Sequence, residues 1–471
     1  MYLIFLFDIL VYKRGGNMSA KNNIDMVHGS LWGKILKFTL LYMLTAFLQH
    51  LYSAADVIIV GRFAGEAALA GVGTCTVLVN LFLNFILGLS AGATIVLGQA
   101  IGADNKGDIS KATHTSIAIA ISGGFIITAV CLLYTKPLLI MVDVPENVMH
   151  EASSYLRVVS IGFIPSLIYN FGAAILRAKG DTKRALYIVT ASGIINVLLN
   201  LFFVCVLEMT ADGVAAATVI SQIFTALAIL YILCNEQDET KLSLKNIRIY
   251  KAPFLRIVKF GLPSGIQSSV YSISNIIVQS SINGFGSAAI AGSSAVTSIT
   301  HFYNVSVNSL YQAAMVFISQ NFGAKKFSRI KKTIVICMTY VCGLWVIQSV
   351  ISYFGSEFLI SLYAPNQPDV IEWGMRKMII LGYSYGLLGF MNIMSGALRG
   401  MGASIINMIA SIVGVCGIRI LWIMTIFETT LTFESLFVCY PLSWFGTFLI
   451  HLLMFVIVFL KEKNKVKQII T

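Results

Sequence analysis

The sequence predicts an all-α integral membrane protein, with twelve transmembrane helices in two parallel-repeat six-helix bundles around a central cleft. Three observations lead there. The 471 residues are 57% hydrophobic and only 11% charged, with a mean hydropathy of +0.83; that is too little charge for a water-soluble chain of this length. Residues 33–234 and 255–460 are two copies of one pattern, offset by about 222 positions. Gly-Glu-Ala-Ala-Leu-Ala-Gly (65–71) returns as Gly-Ser-Ala-Ala-Ile-Ala-Gly (286–292), Gln99-Ala-Ile-Gly-Ala as Gln320-Asn-Phe-Gly-Ala, and Leu176-Arg177 as Leu398-Arg399. A duplicated hydrophobic unit of this size marks membrane transporters, in which two bundles flank a central pathway. Finally, of the 33 Lys and Arg, 27 fall in the N-terminal region, alternate connections and the C-terminal tail. Five lie on the opposite side (Arg62, Lys136, Arg157, Arg376, Lys377), and Arg419 lies within a helix.

Taken in order, residues 1–32 form a cytoplasmic N-terminal segment. Its first twelve residues are apolar but lack a preceding basic stretch and a small-residue cleavage site, which fits a signal peptide badly. Met18 is a more ordinary start, so residues 1–17 are expected not to be native. The first bundle, 33–234, has apolar stretches at 35–60, 68–97, 113–135, 153–175, 185–207 and 213–234. The second, 257–460, has them at 257–281, 288–318, 333–354, 375–397, 405–427 and 435–460. Each is long enough to cross a hydrocarbon core of about 30 Å at 1.5 Å per residue. An even number of helices per copy returns the chain to the side it entered from, which makes the repeats parallel. The Lys and Arg excess places that side, both termini and the charged linker 235–256 in the cytoplasm of a cell-membrane protein. Residues 461–471 form a basic tail. Pro165, Pro263 and Pro441 fall inside or at the start of helices and favour kinks, because proline removes a backbone donor.

Several function classes are excluded. The basic balance is accounted for by topology, so it does not point to nucleic acid. No Gly-x-x-x-x-Gly-Lys-Ser/Thr motif occurs, so active transport would draw on an ion gradient, H⁺ or Na⁺, with no cofactor. The eight cysteines lie in or beside apolar segments without Cys-x-x-Cys spacing and read as small buried residues. Intramembrane hydrolysis needs paired acids, a metal-binding His cluster or a Ser–His dyad; His50, His301 and His451 show no ligand spacing. The expected partners are small organic substrates and the lipid bilayer, with the chain acting as a monomer.

The polar residues inside the spans carry the chemistry. Of the 21 acids, 19 sit in loops, tails or helix ends and Asp8 in the leader; only Asp56 interrupts a strongly hydrophobic segment. A lone membrane carboxylate costs a few kcal/mol unless paired, hydrated or protonated, and it changes charge when a cation arrives. Gln49, Tyr52 and Asp56 share one helix face at i, i+3, i+7. Asn80 with Asn84, and Asn196 with Asn200, are i, i+4 pairs on the second and fifth helices. In the second copy Gln267, Tyr271 and Asn275 line the seventh helix, and His301, Asn304, Asn308 and Gln312 the eighth. Such stripes serve interhelical hydrogen bonding or a shared cavity; their presence in both copies favours a cavity, to which Asn170, Met391 and Asn392 also belong. Soft side chains such as Met391 and Met394 suit varied apolar or cationic ligands.

With these motifs in place, residues 33–460 resemble the multidrug and toxic compound extrusion (MATE) transporters of bacterial type. The resemblance rests on Asp56-Val-Ile-Ile-Val-Gly61, Gly98-Gln99-Ala-Ile-Gly102, Leu176-Arg177-Ala-Lys-Gly180-Asp181-Thr182, Asn196-Val-Leu-Leu-Asn200 and Gly213-Val-Ala-Ala-Ala-Thr218-Val-Ile-Ser-Gln222. It implies two six-helix bundles around a cleft, exporting organic cations in exchange for Na⁺ or H⁺. It also implies a coupling-ion site at Asp56, Asn196, Asn200 and Thr218. Three positions depart from the family pattern. Asn200 replaces a second carboxylate, so it offers an oxygen to Na⁺ but takes no proton. Tyr271 stands where one branch carries a Glu on the seventh helix, and no Asp occurs around 388–392; Leu41 stands where the second copy has Pro263. The leading expectation is a cation-coupled exporter with Asp56 as the coupling carboxylate. The alternative is a lipid-linked precursor flippase of the same superfamily architecture, with Arg419 as its one intramembrane base.

Overall fold

The computed structural model describes residues 23–64, 66–142 and 144–470. The expected leader, with Asp8 and Met18, lies outside the described residues. Within them all regular structure is helical. In the first copy α1 (Trp32–Ile59), α2 (Glu66–Gly102) and α3 (Lys106–Leu133) are long rods. α4 (Met149–Ile161) and α5 (Phe163–Lys179) form one span bent by 43°. α6 (Lys183–Leu201) and α7 (Ala211–Cys234) follow. The second copy runs α8 (Lys251–Ile282), α9 (Ser287–Gly323) and α10 (Phe327–Phe354). Then come α11 (Pro368–Gly382) and α12 (Tyr385–Gly400), again bent by 43°, α13 (Ser404–Thr430) and α14 (Phe433–Ile470). Eight helices are long and apolar enough to span a bilayer alone, and the bent pairs bring the number to ten. α8 and α9, of 32 and 37 residues, complete the twelve; Gln267, Asn275, His301 and Asn304 lower their apolarity, not their reach.

The two bends have different causes at matching places. Pro165, in the first turn of α5, has no N–H and crowds the Ile161 carbonyl one turn back, so the chain yields at Gly162. The second bend falls about 222 residues later at Tyr383–Ser384, without a proline. There Trp345 Nε1 donates to Tyr383 O at 2.7 Å and the Ser384 hydroxyl turns back onto Ile380 O. Side chains take over carbonyls that the broken ladder releases. α8 and α14 run through Pro263 and Pro441 as single helices.

The repeated Leu-Arg motif is a helix stop. Gly180 and Gly402 adopt φ of 87° and 83°. The amides of Gly180 and Asp181 return to the carbonyls of Arg177 and Leu176, and those of Gly402 and Ala403 to Arg399 and Leu398. This left-handed cap favours glycine, which is why the spacing survives in both copies.

By contacts the chain divides into two units, Met1–Asp25 with Leu44–Gly265, and Met26–Met43 with Ile266–Thr471. α1 thus begins in the second unit and ends in the first, and α8 does the reverse. In the first unit Gly88 and Gly92 of α2 meet Gly261 and Gly265 of α8, two Gly-x-x-x-Gly pairs face to face; a Cβ at Gly92 would lie 2.7 Å from Gly261 N. Small residues allow the backbone approach that drives helix association in lipid. Arg256 Nη2 adds a 2.9 Å bond to Gln99 Oε1. In the second unit Phe38 packs edge-on to Phe317, and Asn321 Nδ2 and Arg329 Nη2 donate to Met26 O at 3.0 and 3.2 Å. The almost wholly buried α5 packs on α2, α3 and α7, and its counterpart α12 on α9, α10 and α14.

On the first unit, residues 235–250 are docked by buried charges. Lys179 Nζ lies 2.8 Å from Glu236 Oε2 and 2.5 Å from Asp238 Oδ2, while Arg184 engages both Asp181 and Glu236. Ser243 N donates to His114 Nε2 and Tyr250 N to Thr115 Oγ1. All eight cysteines are free.

Candidate functional site

α1 presents Tyr52 and Asp56 one turn apart to α6. The Tyr52 ring lies over Gly193, where any Cβ would collide with it, and its hydroxyl reaches Thr190 O at 3.4 Å. One turn further along α1, Asn200 Nδ2 donates to Asp56 Oδ1 at 2.5 Å and to Asn196 Oδ1 at 3.3 Å. The i, i+4 spacing of the two asparagines is what places both amides on the α1-facing side of α6. Asn196 and Asn200 are buried and Asp56 is half-buried. Asn200 Oδ1 is buried with no hydrogen-bond partner among the described residues, an unused amide oxygen beside a carboxylate. Thr218 Oγ1, on α7, donates to Val214 O at 3.0 Å.

Apolar residues that follow Asp56 and Asn200 along the chain gather into a cluster of their own. Ile59, Val60, Val72, Val204, Ala211 and Val214 form one buried group, with Tyr155 and Val197 against it. Two of its members, Val60 and Val204, lie in π-helical turns, Val60–Ala64 and Phe202–Val206, which end α1 and α6. Such turns occur often at functional sites. Asp56 therefore has a neutral hydrogen-bond partner, Asn200, beside it. Sequence reasoning missed Thr190, Gly193 and Tyr155; the Gly193 approach has no signal on one helix, since it depends on which neighbour fills it.

The other sequence-predicted residues fall in separate places within each unit. In the first, Gln49, Asn80 and Asn84 are exposed, and Asn170 Nδ2 donates to Ser166 O at 2.8 Å. In the second, Gln267 is a hub. Its Nε2 donates to Tyr271 Oη at 3.1 Å, and its Oε1 accepts from Arg399 Nη2 at 2.6 Å and Asn407 Nδ2 at 3.1 Å. Asn275 Oδ1 accepts from Arg419 Nη1, Asn304 Nδ2 donates to Tyr385 Oη at 3.2 Å, and His301 is exposed. Met391 is packed inside a buried cluster with Tyr303, Tyr385 and Trp444, and Asn392 beside it is half-buried. No group of three or more metal-binding His, Cys, Asp or Glu side chains occurs among the described residues.

Comparison with known proteins fits this architecture. The MatE family model matches residues 42–202 and again 263–425, once per copy. A probable multidrug resistance protein of Bacillus subtilis, YoeA, is 27% identical over 401 residues, 83% of this chain and 86% of the relative. A probable multidrug resistance protein of Thermotoga maritima, NorM, is 25% identical over 399 residues, 82% of this chain and 84% of the relative. The bent form of the Vibrio cholerae MATE transporter VcmN shares the fold at a TM-score of 0.85 and 19% identity, covering 92% of this chain and 98% of that one. Relatives of this kind are transporters rather than enzymes, and a double match over most of the length means that this chain belongs to the MatE family of membrane transporters.

Proposed function

We propose that the chain is a cation-coupled antiporter that exports small organic compounds, cationic or amphipathic, across the cell membrane by alternating access. Asp56 is its coupling carboxylate, and both termini are cytoplasmic. The observation that supports this most is the Asp56–Asn200–Asn196 chain, with both asparagines buried. A carboxylate with only neutral hydrogen-bond partners in a low-dielectric setting is incomplete without a cation. The oxygens of Asp56, Asn196, Asn200 and Thr218 are hard donors, the kind Na⁺ takes, and a proton satisfies Asp56 alone. With Asn200 in place of an acid, the cluster has one titrating group, so one unit of positive charge fills it. Exchange follows if the cation and the cargo favour opposite states of the chain, since a ligand shifts an equilibrium only by its differential affinity. In inverted membrane vesicles, wild type should move a fluorescent cationic dye when either a Na⁺ or a pH gradient is imposed alone, which names the ion. Asp56→Asn should abolish the gradient-driven component; export at the wild-type rate would remove Asp56 from the mechanism.

A further inference from the structure

Arg419 lies in α13 immediately beyond a π-helical stretch, Ile412–Gly417, and is 4% exposed. A guanidinium does not give up its charge, so burial obliges the protein to supply compensation. What surrounds it is neutral. Nε donates to Ser443 Oγ at 3.1 Å, Nη1 to Asn275 Oδ1 at 2.9 Å, and the guanidinium carbon sits 4.2 Å from the centre of the Tyr440 ring. The acids of the second unit, Glu357, Asp369, Glu372, Glu428, Glu434 and Glu462, all lie at or near helix ends, and none is a partner of Arg419.

The other buried cations of this unit differ in how far they are satisfied. Lys377 Nζ has all three donors placed, on Ser293 O, Ser293 Oγ and Thr297 Oγ1, each at 2.8 Å. Arg399 bonds Tyr311 and Gln267 through its two terminal nitrogens, and only its Nε is without a hydrogen-bond partner among the described residues. Among the described residues the bonds at Arg419 use Nε and Nη1 and leave Nη2. Asn275 accepts with its oxygen, so its amide N–H groups remain, and the face of the Tyr440 ring lies against the cation. Donors outnumber acceptors here, which is the composition of an oxyanion site. The repeat sharpens the point. Shifted by about 222 residues, Thr218 corresponds to Tyr440 and Asn200 to Trp422; the helix that sets Asn200 beside Asp56 in one copy has a counterpart that carries a cation in the other.

We propose that Arg419, Asn275 and Tyr440 form a subsite for an oxyanion group, carboxylate or phosphate, carried by the transported compound. The cargo then includes zwitterionic or acidic amphiphiles and not only simple cations. This rests on the transporter reading above, but its test needs no transport. The purified full chain in lipid nanodiscs, without any ion gradient, is titrated with a carboxyl-bearing rhodamine and with its ethyl ester, using fluorescence anisotropy. Wild type should prefer the free acid by about tenfold, the scale of one charge-assisted pair. Arg419→Gln should bring the two within about twofold of each other, since the charge that discriminates them is gone. Asn275→Asp gives Arg419 a permanent internal counter-ion and should collapse the preference in the same way, with no buried charge left unpaired; it decides the matter if Arg419→Gln is not monodisperse. Equal binding of acid and ester by wild type, or a preference that survives Asn275→Asp, overturns the proposal. Inorganic phosphate competing with both dyes alike would assign the subsite to a solution anion and likewise overturn it as a cargo site. Failure of Asp56→Asn to affect coupled export leaves this binding result standing, so the two readings fail separately.

Discussion

Replacing Glu236 by glutamine removes the one carboxylate that Lys179 and Arg184 share. The Lys179 and Glu236 side chains are 4% and 0% exposed, and the ammonium lies 2.8 Å from Oε2. Removing one partner of a buried pair costs about 3–5 kcal/mol, because the remaining charge is left uncompensated. Here Lys179 keeps Asp238 and Arg184 keeps Asp181, which puts the expected loss near the bottom of that range, about 3 kcal/mol. At about 2–4 °C per kcal/mol for a unit of this size, the midpoint should fall by about 6–12 °C. The assay is thermal unfolding of purified protein in detergent, read with a thiol-reactive dye, since all eight cysteines are free and most are buried. Glu239→Gln is the control. It breaks the Lys106–Glu239 pair at a similar 2.9 Å, but those side chains are 71% and 36% exposed; such pairs contribute little, so no measurable shift is expected. If the two variants unfold together, the buried charges are not what holds residues 235–250 to the first unit.

Acid should act on the same cluster through Asp238. Burial pushes its carboxyl up, but the Lys179 ammonium and the Thr240 hydroxyl and amide outweigh that and leave it below the ordinary carboxylate range. A group depressed on folding stabilises above its unfolded pKa and loses that contribution as pH falls through its folded one. Asp238→Asn should therefore lower the wild-type melting midpoint near pH 7 and flatten its decline on acidification; an unchanged slope would count against the pairing. Gly92→Val adds atoms where a Cβ already approaches Gly261 N at 2.7 Å, an overpacking of about 1–3 kcal/mol. Loss of monodisperse protein or a lowered midpoint is expected, and wild-type behaviour would mean that α2 and α8 do not cross there. Asn200→Asp sets a second carboxylate where the amide now bonds Asp56 at 2.5 Å; two such groups cannot both ionise without a cation between them. Dye export by this variant should depend more steeply on Na⁺ or pH than in wild type, and an identical profile would separate Asn200 from ion coupling.

Much of the architecture was legible because it is written as period and repetition. Twelve apolar stretches and the return of Leu-Arg before a left-handed glycine each follow from local chemistry that a single strand of text preserves. What was hidden depends on neighbours. Gly88-x-x-x-Gly92 and Gly261-x-x-x-Gly265 are visible as letters, but not as a facing pair. The bend at Tyr383 has no proline to announce it, only an indole supplied from α10. The π-helical turns that end α1 and α6 leave no periodic mark. Asp56 stood out alone, as the single acid in a strongly apolar span, while its adjacency to Asn196 and Asn200 came through family resemblance, since no spacing rule on one helix reaches a second. The linker hides its neighbours in a different way. A charged run is ordinarily a solvated one, and here Glu236 is wholly buried.

The assignment of α1 and α8 also bears on biosynthesis. The first unit takes in the chain up to Gly265, and the second needs residues 26–43, made long before the rest of it. Domains of a growing chain ordinarily close one after another from the N-terminus. Here the ribosome must deliver the start of the seventh span before the first half has its last packing partner, and the opening turns of the first span must wait for the ninth helix, α9. A translation product cut at the linker would lack a helix face in both pieces, so the insertion machinery has to hold an unfinished bundle in the membrane until its counterpart is nearly complete.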